Sequence, residues 1–393
     1  MKKLSLSISR ALLLGALVIL PTAIASAQTA AAPAQDDKQA TFEREWYDTC
    51  YTKKDMAKCY EMSKVYKAQY PNGTYIKNAI GIVDNKEIND LWEQFQAALK
   101  DYYAGAPDAA KLDKLFNTGD AFLQRKPNYP YVVAQQALAA TGAGLAEVYK
   151  DRAKINSYLT KAMSLYSVTT TTDEKAVKQE DWVNFRDNIM ASGHQFMGWD
   201  VIQSKGDAKT AYGHLTKATQ VRSAGNPGIG WKDPLNYYLR SNLINDEYTA
   251  AGAKYKALTD EQKTGDPGKE ALKELNAVVD RILAEYARVI ATSGKPEYKD
   301  YLAYAKGNFD SLWKYRTDAP EKAAAFLQGY VADPTVPDAV VPAKAESAAP
   351  PAGIPTAGIG AVKVTGGAGS AMPGAGGAKA ATKPAAKGGK KKR

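Results

Sequence analysis

The chain has 393 residues, enough for a sizeable buried core, with a formal net charge of +10, two cysteines and two histidines. Lys2, Lys3 and Arg10 at one end, and nine Lys or Arg set against Asp338 and Glu346 after residue 334, account for the whole of that charge. The stretch between them is neutral, so the basicity belongs to the ends and not to a nucleic-acid-binding fold.

Taken in order, Lys2, Lys3 and Arg10 precede an apolar run over 11–20, and Ala25-Ser26-Ala27 has the small-x-small pattern of a signal peptidase site. This predicts a signal peptide over 1–27 and a mature chain that is secreted or periplasmic. The apolar run is too short to span a bilayer, and no later segment is apolar enough to do so. Residues 28–40 are Ala-rich and polar, which predicts a disordered leader.

Two helices over 41–51 and 55–70 predict a first hairpin, with Cys50 and Cys59 on either side of its turn; in an exported chain that pair predicts a disulfide. Ile88, Leu91, Trp92, Phe95, Ala98, Leu99 and Tyr102 keep three-and-four spacing, which predicts an amphipathic helix over 87–103. Helices over 109–125 and 131–150 form a pair, followed by one over 152–166; the threonine run 169–172 is a loop. Pro71, Pro127 and Pro234, each followed four residues later by Tyr, mark candidate helix starts. Helices over 182–203 and 208–221 form a hairpin across Gly206-Asp207. A helix over 234–243, a turn at Asn245-Asp246 and a further helical stripe through Ala250 and Ala257 predict a second one. Leu272, Leu275, Val279, Ile282, Leu283, Tyr286 and Ile290 line another helix, and helices over 298–315 and 321–330 close the set. No alternating strand occurs, so the chain is all-α. From residue 335 to 393 the composition turns to Ala, Pro, Gly and Lys, which predicts a disordered basic tail.

Gly198, the turn at Gly206-Asp207, and Ala211, Leu215 and Ala218 follow the spacing of a tetratricopeptide repeat, and residues 41–334 resemble a tetratricopeptide-like α-solenoid of antiparallel helix pairs. Asp207, Ala211 and Ala218 are echoed at Asp246, Ala250 and Ala257, and more weakly in a stripe ending at Leu159 and Ala162. The resemblance implies an exported, non-catalytic interaction scaffold that binds a protein or peptide partner of the cell envelope in a concave groove. Carried over residue by residue, it places the groove at Ser192, Gln195, Trp199, Ile202 and Gln203, and at Lys232, Leu235, Leu239, Asn242 and Leu243. Ordinary packing between helices accounts for the same residues. An alternative is a binder of envelope glycan or anionic lipid that uses the groove and the basic tail.

No nucleophile elbow, zinc-protease helix, phosphate-binding loop or haem attachment motif occurs, so no enzyme and no cofactor is expected. Met190, His194 and Met197 share one helical face opposite His214, and thioether with imidazole suits copper. Core-filling methionine and hydrogen-bonded histidine account for the pattern without a metal, and no metal is expected.

Overall fold

The structure, a computed structural model, describes residues 37–171, 177–223, 226 and 228–342. The expected signal peptide, all but the end of the leader, and the tail beyond 342 lie outside the described residues. Among the described residues there are thirteen α-helices and no strand, in agreement with the all-α reading. No helix among them is long and apolar enough to cross a membrane. The chain divides into two compact units at Ala97 and Ala98.

In the first unit α1 (Asp37–Tyr47) begins four residues inside the expected leader and runs into a π-helical turn, Asp48–Thr52, before α2 (Met56–Gln69). Buried Trp46 donates its indole N–H to Ser63 of α2 at 2.8 Å. Cys50 and Cys59 form the expected disulfide, with Cα atoms 5.0 Å apart. Closing so short a loop restricts the unfolded chain by about 2–3 kcal/mol. Buried Glu43 accepts hydrogen bonds from Gln39, the Tyr66 hydroxyl and the Thr74 N–H, and so ties α1 to α2 and to the turn beyond it. The next helix, α3 (Ile76–Tyr103), starts eleven residues before the apolar stripe suggested. Gly81 weakens that extra length by about 1 kcal/mol relative to Ala without breaking it. Pro71 lies in the turn before α3 and not at a helix start.

The second unit opens with a recurring local design. Asp108, Asp151 and Asp207 cap α4 (Ala109–Arg125), α6 (Arg152–Leu165) and α8 (Ala208–Thr219), each accepting a backbone N–H three residues on. Such a cap is worth about 1 kcal/mol. Four, eight and eleven residues past each cap the residue is buried: Leu112, Phe116, Gly119; Ile155, Leu159, Ala162; Ala211, Leu215, Ala218. The last of each trio is small, which lets a neighbouring helix approach. Between these capped helices run α5 (Pro130–Leu145), buried on nearly every side, and α7 (Gln179–Gln203). It is Pro130, and not Pro127, that occupies the first turn of α5.

The α7–α8 hairpin forms as expected, although its left-handed residue is Lys205 (φ 54°) and not Gly206. Gly206 N–H returns to Val201 O at 2.8 Å and Lys205 N–H to Ile202 O at 3.0 Å, closing the helix end. At Gly198 any Cβ would lie 2.7 Å from Leu215 Cγ, so the hairpin requires glycine there to reach its present spacing.

The second expected hairpin does not form. Residues 234–256 are one continuous helix, α9 (Pro234–Lys256), with Pro234 in its first turn. Neither Asn245 nor Asp246 breaks a helix as Gly or Pro would, and Asn245 donates instead to the Tyr286 and Tyr304 hydroxyls. Ala250 and Ala257, aligned with buried Ala211 and Ala218, are exposed. The chain turns later, at Thr259, whose capping box opens the short α10 (Asp260–Thr264). The apolar stripe of α11 (Asp266–Thr292) is buried from Leu272 to Tyr286 as predicted, with Ile290 half-buried. Two further helices, α12 (Lys299–Arg316) and α13 (Ala323–Val331), pack on α11. Residues 333–342, which include the first part of the expected tail, then fold back as a strap that begins with a turn at Pro334-Thr335, and Val341 is buried.

Candidate functional site

Beneath the strap lies a cavity of about 370 Å³, lined from α8 by Thr216 and Thr219, from α9 by Arg240, from α11 by Arg288, and closed by Arg222 and strap residues including Thr335 and Val336. Arg240 and Arg288 are buried, and both converge on one oxygen of buried Glu285: Arg240 Nη2 donates to Oε1 at 2.5 Å and Arg288 Nη1 at 3.1 Å. A second carboxylate charge is needed to balance two buried guanidiniums, and the strap supplies it. Arg288 Nη2 donates to Asp338 at 2.7 Å and to Val336 O at 2.8 Å, while its Nε donates to Pro334 O at 2.8 Å. Burial works against the charge on Arg288, yet Glu285 and Asp338 hold its pKa above the ordinary arginine value.

Arg222 completes the ring. It donates to Asp333 at 2.7 Å and to Thr335 Oγ1 at 2.6 Å, and its guanidinium lies 4.5 Å from the Trp231 ring centroid. Burial raises the Asp333 carboxyl, but hydrogen bonds from Thr335 and Arg222 outweigh it and hold the group at about 2. Tyr212 adds a phenol between α8 and α11: its hydroxyl accepts from Arg240 at 2.7 Å and donates to Glu285 at 3.2 Å. Arg240 Nε, Glu285 Oε2 and Thr216 Oγ1 are buried without a hydrogen-bond partner among the described residues. An arrangement of this kind is suited to holding carboxylates and backbone carbonyls, because guanidinium groups present several donors in a fixed fork.

The comparisons with known proteins add nothing to this geometry. No family model, curated protein or solved structure matches the chain.

The residues carried over from the tetratricopeptide spacing fall into two groups. Gln195, Trp199 and Asn242 are buried. The Gln195 amide donates to Asp233 at 2.8 Å and to Asn236 at 3.2 Å, joining α7 to the start of α9, where burial pushes the Asp233 carboxyl up. Trp199 packs beside Phe196 with the Arg152 guanidinium 5.2 Å from its ring centroid. Ile202 is half-buried, while Leu235, Leu239 and Leu243 are buried with Asn242 in α9. Ser192 is half-buried and donates to Asn188 O at 2.6 Å, whereas Gln203 and Lys232 are exposed. The structure thus brings Gln195 to the loop that carries Lys232, and leaves Gln203 apart at the end of α7.

Sequence reasoning missed the arginine cavity. Its residues come from four separated segments, and Arg240 and Arg288, each taken alone, read as ordinary helix charges. The available signal was position: Arg240 interrupts the buried run from Leu235 to Ile244, and Glu285 with Arg288 interrupts that from Ile282 to Val289. A charge inside an apolar face needs a buried partner.

Proposed function

We propose that the chain is an exported, non-catalytic binding protein, a tetratricopeptide-like array of helix pairs that holds an acidic segment of a protein or peptide partner. The observation that carries this reading is the strap. Its carbonyls at Pro334 and Val336 and its carboxylates at Asp333 and Asp338 are held by Arg288 and Arg222, as a bound peptide would be. The Asp-capped helices α4, α6 and α8 support the repeat character, at unequal spacings of 43 and 56 residues counted from Asp108, Asp151 and Asp207. Polymer binding draws on basic residues that lie beyond the described structure, and no observation favours it.

The test uses the full chain and a labelled peptide with the sequence of residues 333–342. In the Asp333→Asn, Asp338→Asn double variant the cis strap loses its ion pairs, so the peptide binds more tightly than to the unaltered chain, and salt weakens it. Adding Arg288→Met abolishes the gain. No saturable binding to either form would overturn the reading.

A further inference from the structure

The only two histidines of the chain meet. His194 of α7 and His214 of α8 have ring centroids 5.4 Å apart, and their Nδ1 atoms are separated by 3.2 Å. Both side chains are half-buried. The hairpin fixes this distance: Gly198, four residues past His194, closes on Leu215, the residue after His214, so the backbones are held together where the rings face each other.

Two nitrogens bound to one zinc- or copper-sized ion at about 2.0–2.1 Å, with an angle near tetrahedral, stand roughly 3.3 Å apart. The observed gap matches that spacing without any movement of the helices. Without a metal, the 3.2 Å contact is a hydrogen bond in which one ring donates through Nδ1–H and the other accepts at Nδ1. Met190 and Met197 stand one turn before and after His194 on the same helix, both half-buried. Lys217, one turn beyond His214, opposes a cation, but its side chain is exposed and its charge is screened.

We propose that His194 and His214 form a two-imidazole site for a copper-class d-block cation, with thioether or water completing the shell. Among the described residues no three of His, Cys, Asp and Glu converge on a metal position, so the site differs from a closed structural zinc site and keeps open positions. On binding, the proton on the donor Nδ1 moves to Nε2 of the same ring, so both rings ligate through Nδ1.

The test titrates the full chain with Cu²⁺ and, separately, Zn²⁺ in a buffer that does not chelate them, following heat and the imidazole resonances. Only two histidine spin systems exist, so ligation at this pair is distinguished from binding elsewhere. Expected are one Cu²⁺ per chain, displacement or broadening of both imidazole signals together, and weaker binding of Zn²⁺. His214→Ala weakens Cu²⁺ binding by about tenfold or more. His214→Asn, which keeps a polar side chain in the hairpin, does the same while the metal-free melting temperature stays near that of the unaltered chain. Imidazole signals that do not move at one equivalent of Cu²⁺, or equal affinity in the His214→Asn variant, would overturn the proposal.

Discussion

The hydroxyl of Tyr66 donates to the carboxylate of Glu43 at 2.6 Å, and the same phenol oxygen accepts the N–H of Tyr75 at 2.9 Å. Burial opposes the ionisation of Glu43, but the bonds from Gln39, Tyr66 and Thr74 outweigh it and hold its pKa at about 2. Burial and the facing carboxylate push Tyr66 up to about 12. The folded value of Glu43 lies below that of an unfolded glutamate. Its contribution is therefore complete above about pH 5 and is lost as the pH falls towards 2. Glu43→Gln destabilises the protein by on the order of 2 kcal/mol at pH 7, and by progressively less at lower pH. Urea unfolding of both forms at pH 7 and pH 3 checks this; an equal difference at the two values would contradict it.

Two glycines of one hairpin respond in opposite directions to the same substitution. At Gly198 an added Cβ meets Leu215 Cγ at 2.7 Å and Ala211 O at 3.2 Å, and Leu215 is fully buried. Gly198→Ala forces the helices apart and costs about 1–3 kcal/mol. At Gly213, exposed on α8, nothing lies within 4 Å of the added carbon. Gly213→Ala gains helix propensity and stabilises by about 0.5–1 kcal/mol. Thermal melts of the two variants resolve the opposite signs.

Arg288 and Arg222 both grip the strap, and burial separates their energetic roles. The Arg288 side chain is 4% exposed, and its loss strands Pro334 O, Val336 O and part of the Glu285 charge. Arg288→Met costs about 3–5 kcal/mol and speeds amide exchange at Thr335 and Ala339. The Arg222 side chain is 51% exposed. Arg222→Met costs about 0–1 kcal/mol. Amide exchange read by mass spectrometry over residues 333–342 distinguishes the two; equal acceleration in both variants would show that burial does not rank them.

Local signals in the sequence carried much of the fold. The stripe of α11, the Cys50–Cys59 hairpin and the α7–α8 turn each depend on residues close together in the chain, and periodicity or spacing reveals them. The break expected at Asn245-Asp246 failed because Asn245 finds its partners on α11 and α12, at Tyr286 and Tyr304, which local spacing does not display. Gln195 and Trp199 read as polar and aromatic groove residues, yet long-range contacts with Asp233 and Arg152 place them inside. The cavity was hidden for the same reason, since Arg222, Arg240, Arg288 and the strap meet only after α8, α9 and α11 have packed.

The strap also has a mechanical meaning. Tension applied to the chain beyond Pro342 meets buried Val341 first, then Ala339 N–H on Tyr330, then Asp338 and Val336 on Arg288, then Thr335 on Arg222 and Pro334 on Arg288, and last the Asp333 contact with Arg222. Contacts loaded in sequence yield one at a time, whereas contacts loaded together share the force. A pull on the C-terminal end that peels the strap therefore parts it from Tyr330 of α13 before it uncovers the guanidiniums of Arg288 and Arg222, so traction on the tail is converted stepwise into exposure of the arginine cavity.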